Sequence, residues 1–220
     1  MKRMALILVL LFATVFHCAS WNQAMTGGLI GAGAGGLIGG VIGHQSGNTA
    51  VGAIIGAAVG GSAGALIGHY MDKQAEEIRR DIKDAKVERV GEGIKITFNS
   101  GILFNVGSDK LRPVALRNVG QLAVILNKYK KTEILVEGHT DSTGPEAANT
   151  VLSENRSASV ARTLKAKGVK GSRITTNGYG ATQPVADNST VDGRQQNRRV
   201  EVAIFANEQL KRAARENKQL

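Results

Sequence analysis

Residues 133–144, EILVEGHTDSTG, join a short apolar strand to a polar loop, and this stretch organises the rest of the chain. The run from Ile134 to Val136 predicts a buried strand, and the loop after it carries Asp141. Arg156 lies fifteen residues further on, within a predicted helix. One carboxylate and one guanidinium are thus predicted at the two ends of a strand, loop and helix unit. Such a pair can bind a ligand that carries an ammonium and a carboxylate together.

Apolar patterns on both sides of this stretch predict the remaining elements. Val87 to Val90 and Ile94 to Phe98 flank Gly91-Glu92-Gly93, which predicts a hairpin. Pro113 suits the first turn of a helix that runs to about Asn127. The buried side of that helix is predicted to carry Leu116, Val119, Leu122, Ala123 and Leu126. The other predicted elements are strands at Glu133–Glu137, Ile174–Asn177 and Arg199–Phe205, and a helix at Ala147–Lys167. Strands that alternate with helices predict an α/β fold, a two-layer α/β sandwich.

Several motifs of this region occur together in one order. They are His139-Thr140-Asp141-Ser142-Thr143-Gly144, Asn149-x-x-Leu152-Ser153-x-x-Arg156, Tyr179-Gly180 and Asn197-Arg198-Arg199-Val200-Glu201. With them, the stretch 87–206 resembles the OmpA-like periplasmic domain, which also occurs in peptidoglycan-associated lipoproteins. The resemblance implies non-covalent binding of peptidoglycan, through the diaminopimelate side chain of its stem peptide.

The resemblance and the spacing together define a candidate binding site. Asn149, Leu152 and Arg156 step by three and four, so they share one helix face. Asp141, in a loop with Thr143, would take the ammonium of diaminopimelate, and the planar fork of Arg156 would take its carboxylate. By resemblance, Phe104 and Asn105 contribute main-chain contacts and Leu152 contributes an apolar wall. For at least one of Arg198 and Arg199, a structural ion pair is expected.

The N-terminus predicts export. Lys2-Arg3 followed by the apolar run 4–16 is typical of a secretory signal, assigned to residues 1–17, and is too short to span a bilayer. Cys18 is the single cysteine and stands where a bacterial lipoprotein carries its lipid, with residues 18–24 as a tether. Cleavage after Ser20, without lipid, is the alternative. Ala19 after the cysteine, by resemblance to bacterial lipoproteins, favours a lipid-anchored protein of the outer membrane that faces the periplasm.

Between the signal and the sandwich lies a ladder of glycines spaced by four. Its members are Gly27, Gly31, Gly35, Gly39 and Gly43, and then Gly52, Gly56, Gly60, Gly64 and Gly68. In water a helix with so many glycines is unfavourable, whereas in lipid such a stripe allows close helix packing. Helices over 27–43 and 50–68 would be roughly 26 and 28 Å long. We therefore expect a membrane-embedded, glycine-zipper helical hairpin over residues 25–70, which resembles the zipper of a subgroup of OmpA-family lipoproteins. A flexible linker is the alternative.

Two further segments flank the predicted sandwich. Residues 71–86 predict an amphipathic linker helix, which either self-associates as a coiled coil or packs on the neighbouring domain. Its apolar stripe is Met71, Ala75, Ile78, Ile82 and Ala85. Residues 207–220 form a basic tail, expected to be a solvated helix or an electrostatic contact to wall or lipid. The net charge of +10 lies entirely outside the zipper and indicates an acidic partner.

Other functions find less support in the sequence. No phosphate-binding loop or Gly-x-Ser-x-Gly motif is present, so no catalytic residue and no cofactor is expected. His139 is the only histidine after residue 69, which disfavours a metal site. Three alternatives to a wall tether remain. The zipper could assemble a membrane homo-oligomer that the sandwich only localises, Glu137 with Asp141 could form a glycan hydrolase, and the basic tail could bind nucleic acid, which the export signal disfavours.

Overall fold

The structure, a computed structural model, describes residues 48–217. Several predictions fall outside these residues. They are the signal at 1–17, the lipid site at Cys18, the tether at 18–24 and the first zipper helix with its glycines at 27, 31, 35, 39 and 43. The last three residues of the basic tail also lie outside.

A five-stranded mixed sheet forms the centre of the fold. Its strands are β1 (Lys86–Val90), β2 (Gly93–Asn99), β3 (Thr132–His139), β4 (Ile174–Gly178) and β5 (Arg199–Ala206). They lie in the order β1-β2-β5-β3-β4, and only the β3–β4 pair is parallel. All five predicted strands are confirmed within two residues at each end, because alternating apolar residues are a strong signal for strands.

Seven α-helices accompany the sheet within residues 48–217. They are α1 (Thr49–Ala57), α2 (Gly61–Asp81), α3 (Ser100–Leu103), α4 (Pro113–Lys128), α5 (Glu146–Ala166), α6 (Val191–Asn197) and α7 (Glu208–Arg215). The helices α2, α4, α5 and α7 bury their apolar sides in one core with alternate residues of the strands, such as Ile96, Ile134 and Val202. The predicted two-layer α/β sandwich is confirmed.

The apolar side of α4 differs at one position from the prediction. Val119, Leu122, Ala123 and Leu126 are buried as expected, but Leu116 is 46% exposed. At about 100° per residue, Leu116 lies just outside the buried arc, whose centre is near Leu126. The prediction that Leu116 belongs to the core is therefore wrong.

The predicted single helix over 50–68 is also wrong. The chain leaves α1 at Ala58 and begins α2 at Gly61, and both Gly60 (φ +74°) and Gly61 (φ +61°) lie in the left-handed region. The carboxylate of Glu92 fixes this break by accepting hydrogen bonds from the backbone N–H of Val59 (2.8 Å) and of Gly60 (2.7 Å). Among helices of residues 48–217, none has the length and apolar character that crossing a bilayer requires. The described half of the zipper therefore forms two helices in place of the single predicted one.

Helix α1 packs on the face of the sheet opposite the other helices. Ala50 and Ile54 are buried there against Leu135, Ala203 and Phe205. Ile54 lies so close to β2 that a Cβ on Gly93 would come within 2.5 Å of its side chain. Covering this second face explains why every residue of β5 is buried.

The segment after the zipper belongs to the core. Helix α2 continues without interruption from Gly61 to Asp81, so the predicted separate linker helix at 71–86 is wrong in its bounds. Met71, Ala75 and Ile78 are fully buried in the common core, as is Ile82 just after the helix. The packing alternative is confirmed and the coiled coil is wrong, because this apolar stripe is already covered. The tail forms α7, which is not fully solvated, since Leu210 and Ala214 are buried in the same core.

Candidate ligand-binding site

The candidate site lies where β3 ends and α5 begins. Two glycines paired across β3 and β4, Gly138 and Gly178, let α5 approach the sheet closely. A Cβ on Gly138 would come within 2.1 Å of the carbonyl oxygen of Ser153, and one on Gly178 within 2.3 Å of the backbone nitrogen of Glu154. This close approach fixes the helix that carries Arg156 against the strand that leads to Asp141.

Asp141 is held in place by two partners. Its side chain is 8% exposed, and its Oδ1 accepts a hydrogen bond from the backbone N–H of Thr143 at 2.8 Å. Its Oδ2 forms an ion pair with the guanidinium of Arg198. Burial alone would raise the pKa of Asp141, but Arg198 and the Thr143 hydrogen bonds outweigh it and lower this pKa below its ordinary value. Asp141 is therefore a charged carboxylate at neutral pH.

Asn149, predicted as a ligand contact, has its amide nitrogen directed at the loop. Its Nδ2 donates hydrogen bonds to the carbonyl oxygens of Asp141 (3.3 Å) and Thr143 (3.0 Å). The backbone N–H of Ser142 donates to Asn188 Oδ1 at 3.2 Å. The loop is thus fastened on two sides, which fixes the position of the Asp141 carboxylate. Thr143 is exposed at its rim.

Arg156 is buried, yet its guanidinium is only partly used. Its Nε donates to the carbonyl oxygen of Ser108 at 3.0 Å, and its Cζ lies 5.1 Å from the centroid of the Phe104 ring. Within residues 48–217, its two terminal nitrogens donate no hydrogen bond. Burial, and then the nearby Arg198, lower the pKa of Arg156. An arginine nevertheless stays protonated in proteins, so the site holds a positive charge with free donors.

The other predicted site residues surround this pair in different ways. Phe104 is buried and forms the aromatic wall beneath the Arg156 guanidinium, a role that the expected main-chain contact did not include. Asn105 is exposed, and its carbonyl oxygen accepts a hydrogen bond from the Ser108 N–H. Leu152 is half-buried one turn before Arg156.

Two contributions to the site were missed from the sequence. One is the carbonyl of Ser108, since a backbone acceptor in a loop leaves no mark in a sequence. The other is the pairing of Arg198 with Asp141 across 57 positions. The expected ion pairing of at least one arginine is confirmed for both, because Arg199 Nε lies 2.7 Å from Glu201 Oε1.

A second polar cluster lies buried on the sheet face that α1 covers. In the register of β3 and β5, Glu137 stands opposite Glu201 and His139 stands opposite Arg199. Thr49 of α1 donates a hydrogen bond to Glu137 at 2.6 Å, and His139 stacks on Tyr179 with 5.5 Å between ring centroids.

Burial shifts the ionisation of this cluster strongly. Desolvation, against the Thr49 hydrogen bond and helped by the charge of Glu201, raises the pKa of Glu137 to about 7. Desolvation, followed by Arg199, holds the pKa of His139 well below its usual range. Ligand atoms of Glu137, His139 and Glu201 lie within 4.8 Å of one another, a spacing that could suit a metal. Arg199 already neutralises Glu201, however, so a cation here would meet a guanidinium.

A mixed sheet covered by helices, with Asp141 and Arg156 near one end of it, is the arrangement to which the comparison with known proteins applies. Residues 103–198 match the OmpA family, and residues 1–72 match the YMGG-like Gly-zipper family. The outer-membrane lipoprotein YfiB of Pseudomonas aeruginosa is 36% identical over 115 residues, which are 52% of this chain and 68% of that protein. The chain belongs to the OmpA family.

A second lipoprotein is similar to this chain in sequence, and a solved structure is similar to it in fold. Probable lipoprotein YiaD of Escherichia coli is 40% identical over 139 residues, 62% of this chain. The chain spans 64% of that protein's length, and about a third of the outer membrane porins that it also matches. Among solved structures, the cell wall anchor of the T6SS from Pseudomonas aeruginosa has a TM-score of 0.54 and 30% identity, covering 62% of this chain and 96% of that one.

Proposed function

We propose that this protein binds peptidoglycan without covalent attachment and so tethers the outer membrane to the cell wall. Asp141 takes the ammonium of a diaminopimelate side chain, and Arg156 takes the carboxylate of the same amino-acid centre. The similarity to a protein described as a cell wall anchor supports this proposal. Like the outer-membrane lipoproteins and porins it resembles, the protein acts at the outer membrane and faces the periplasm.

The observation that carries the proposal is the state of Arg156. Its guanidinium is buried above an aromatic ring, but its terminal nitrogens donate to nothing in residues 48–217. These two nitrogens are not among the fully buried unpaired atoms, so a ligand can reach them and accept their hydrogen bonds. A carboxylate fits two parallel N–H donors of this fork, and the fixed Asp141 provides the matching negative charge for the ammonium.

The test is retention of the full chain, in detergent, on purified sacculi, with free meso-diaminopimelate as competitor. Asp141→Ala and Arg156→Ala should each weaken binding by about 2 to 5 kcal/mol, because each leaves one ligand charge without a partner. Arg156→Lys should fail nearly as badly, since an ammonium lacks the planar fork. The double variant should be little worse than either single one, because both residues grip one centre.

Two substitutions serve as matched controls. Arg162→Ala removes an exposed arginine from the same helix, and Asp72→Asn removes the carboxylate of an ion pair with Arg89, on β1. Both should bind like the wild type. Thermal unfolding checks that every variant is folded. Wild-type retention of Asp141→Ala and Arg156→Ala, or no competition by the free amino acid, would reduce Asp141 to a loop cap and Arg156 to a structural cation.

We infer further that the protein is not an enzyme. The hydrolase alternative needs Glu137 and Asp141 to reach one glycan bond, but Glu137 is fully buried and accepts a hydrogen bond from Thr49. Incubation of the protein with sacculi should therefore release no muropeptides, and release above the level of a boiled sample would restore the hydrolase.

For the N-terminal part, we propose an acyl anchor at Cys18 and helix packing through the glycines at 27–43. The alternative function, a zipper-driven membrane oligomer that the OmpA domain only localises, makes a separate demand. It requires association to persist when Asp141 and Arg156 are lost. Gly60, Gly61 and Gly64 are engaged by the break and by Glu92, so association through the second glycine stripe is not part of the proposal.

A further inference from the structure

Asp141 already has a cationic partner on its own chain. Its Oδ2 is paired with Arg198, so a ligand's ammonium must share this oxygen or displace the guanidinium. The two partners differ in accessibility: the Asp141 side chain is 8% exposed, whereas that of Arg198 is 40% exposed. The carboxylate is therefore the fixed member of the pair, and the arginine is the member that solvent can reach.

The Arg198 side chain is held by little else. Its backbone is secured at the start of β5, because its N–H donates to Arg194 and its carbonyl accepts from Ser100. Its side chain makes only the bond to Asp141 among residues 48–217, so Nε and the second terminal nitrogen remain available. The guanidinium side of this pair is accessible to solvent, so a ligand's ammonium can compete with Arg198 for the carboxylate. Arg198 can thus release Asp141 without disturbing the backbone between α6 and β5.

The charges of the site show which kind of group Arg198 lacks once it has released Asp141. Arg156 and Arg198 lie close enough that the charge of Arg198 lowers the pKa of Arg156. Against these two positive groups stand Asp141, which pairs with Arg198, and Asp109, whose charge acts on Arg156. An amino-acid centre brings one ammonium and one carboxylate, so its binding leaves the net charge of the site unchanged. Once Asp141 turns to the ammonium, the guanidinium of Arg198 has lost its counter-charge.

We propose that Arg198 is a second carboxylate-binding residue, and that it makes the site prefer wall peptides whose remaining carboxyl groups are free over those in which they are amidated. This inference rests on the proposed function. A stem peptide carries carboxyl groups beside the centre held by Asp141 and Arg156. A free carboxylate there supplies the counter-charge that Arg198 gives up, whereas a neutral amide cannot.

The test compares two synthetic tripeptides of alanine, γ-linked glutamate and meso-diaminopimelate, binding to the full chain in detergent. One has every carboxyl group free, and the other is amidated everywhere except at the distal diaminopimelate centre. The wild type should bind the free peptide about tenfold more tightly, which corresponds to about 1.4 kcal/mol. Arg198→Gln should reduce this preference to about twofold or less, mainly by weakening the free peptide. Arg198→Lys keeps the charge and should keep most of the preference, and Arg162→Gln should behave as the wild type.

Each other outcome has one meaning. An unchanged preference in Arg198→Gln overturns the proposal and leaves Arg198 as a structural partner. Equal weakening of both peptides also overturns it, because Arg198 then only positions Asp141. If the wild type binds neither peptide, the proposed function itself fails. Thermal unfolding of each variant separates these results from loss of the fold.

Discussion

Glu137 stands directly opposite Glu201 in the β3–β5 register, on a face of the sheet that α1 buries. Two adjacent buried carboxyl groups cannot both ionise without a large cost in free energy. Arg199 pairs with Glu201 at 2.7 Å, which leaves Glu137 as the group that keeps its proton. Burial, first of all, raises the pKa of Glu137 to about 7. Glu137 is therefore mainly protonated below about pH 7, in the core of this strand.

The first prediction concerns the pH dependence of this residue. A carboxyl whose pKa is raised by folding stabilises the protein most when protonated, so this contribution is lost as pH rises from about 4.5 to about 7. Glu137→Gln mimics the protonated form and should be more stable than the wild type above pH 7, by roughly 3 kcal/mol. Below pH 4.5 the two should differ little.

Urea unfolding of the wild type and of Glu137→Gln from pH 4.5 to 8.5 measures this difference. Taking the difference removes the opposing effect of His139, whose lowered pKa costs stability as pH falls below about 6.5. The exposed Glu76→Gln is the control and should show no such trend. A constant difference across the range would mean that Glu137 is ionised throughout.

For individual residues, the sequence predicted the two opposite charges, Asp141 and Arg156, but not all the residues that contact them. Asp141 and Arg156 could be predicted because both lie in motifs joined by a strand, a loop and a helix of known spacing. An ion pair of Arg198 or Arg199 was expected, but its partner Glu201 and its burial were not. The contact of Arg198 with Asp141 joins residues 57 positions apart, and Thr49 reaches Glu137 across 88. Such contacts depend on how whole elements pack, which no local pattern encodes.

At the scale of elements, the distance between α5 and the sheet depends on Gly138. A Cβ at this position would lie 2.1 Å from a backbone carbonyl, which cannot move without the helix. Gly138→Ala should therefore cost about 1 to 3 kcal/mol of stability and should weaken wall binding, because it shifts the helix that carries Arg156. Thermal unfolding and sacculus retention measure the two effects.

Gly120→Ala is the matched control. Gly120 lies inside α4, and a Cβ there meets only the end of Lys167 at 3.9 Å. Alanine should stabilise that helix by up to about 1 kcal/mol and leave wall binding unchanged. If Gly138→Ala and Gly120→Ala showed the same thermal unfolding and the same sacculus retention, the close approach of α5 would determine neither stability nor wall binding.

The packing of α1 gives a third prediction. Ile54 is 1% exposed between Gly93, Leu135 and Ala203, while the adjacent Ile55 is 45% exposed. Ile54→Ala should destabilise the domain by about 2 to 5 kcal/mol, whereas Ile55→Ala should change it by less than about 1 kcal/mol. Chemical unfolding of the full chain gives both values. Equal effects would show that α1 does not stay docked on the sheet.

The elements show why strands were predicted well and the zipper was not. Alternating apolar residues in β2 and β5 admit one interpretation, and the structure confirms it. Glycines at intervals of four suit a packed helix face, but they equally suit a turn with positive φ, as at Gly60 and Gly61. Glu92 selects the second arrangement by binding Val59 and Gly60 from more than thirty residues away. The sequence around these glycines gives no indication of the contact with Glu92.

For the whole molecule, the docking of α1 and α2 joins the described part of the zipper to the OmpA domain as one packed unit over residues 48–217. The chain enters this unit at Thr49, beside Glu137 on the sheet face opposite α5. The described chain therefore begins on one face of the sheet, whereas Arg156 of the proposed wall site is carried by α5 on the other face. This arrangement suits a tether that is loaded between two layers.

The anchor prediction follows from this arrangement. Cys18→Ala should move the mature protein out of the detergent-extracted membrane fraction unless the zipper alone holds it there, because each buried methylene of an acyl chain contributes about 0.8 kcal/mol and several chains anchor firmly. Sacculus binding by the extracted protein should be unchanged. Mass spectrometry of the mature N-terminus provides the direct check. An unmodified N-terminus at Trp21 would contradict lipidation and support ordinary cleavage after Ser20.

The last prediction separates the two halves of the glycine ladder. Gly35 belongs to the stripe proposed to pack helices together, so Gly35→Leu should hold the helix backbones apart and abolish cross-linked oligomers in membranes. It should leave the unfolding of residues 48–217 unchanged. Gly64 serves a different contact, since a Cβ there would lie 2.2 Å from Glu92 Oε1 and displace the carboxylate that caps Val59 and Gly60. Gly64→Leu should lower stability by about 1 kcal/mol and leave the oligomers intact.

Leu37→Ile is the control for Gly35→Leu, because it changes a residue outside the glycine stripe and should preserve association. Cross-linking in native membranes and thermal unfolding of the extracted protein are measured on all three variants. Oligomers that survive Gly35→Leu would remove the packing role of the first stripe. If the oligomers instead disappear with Gly64→Leu, the second glycine stripe contacts another copy of the protein. Glu92 would then have to leave Val59 and Gly60, because Glu92 and a second helix cannot both occupy this place.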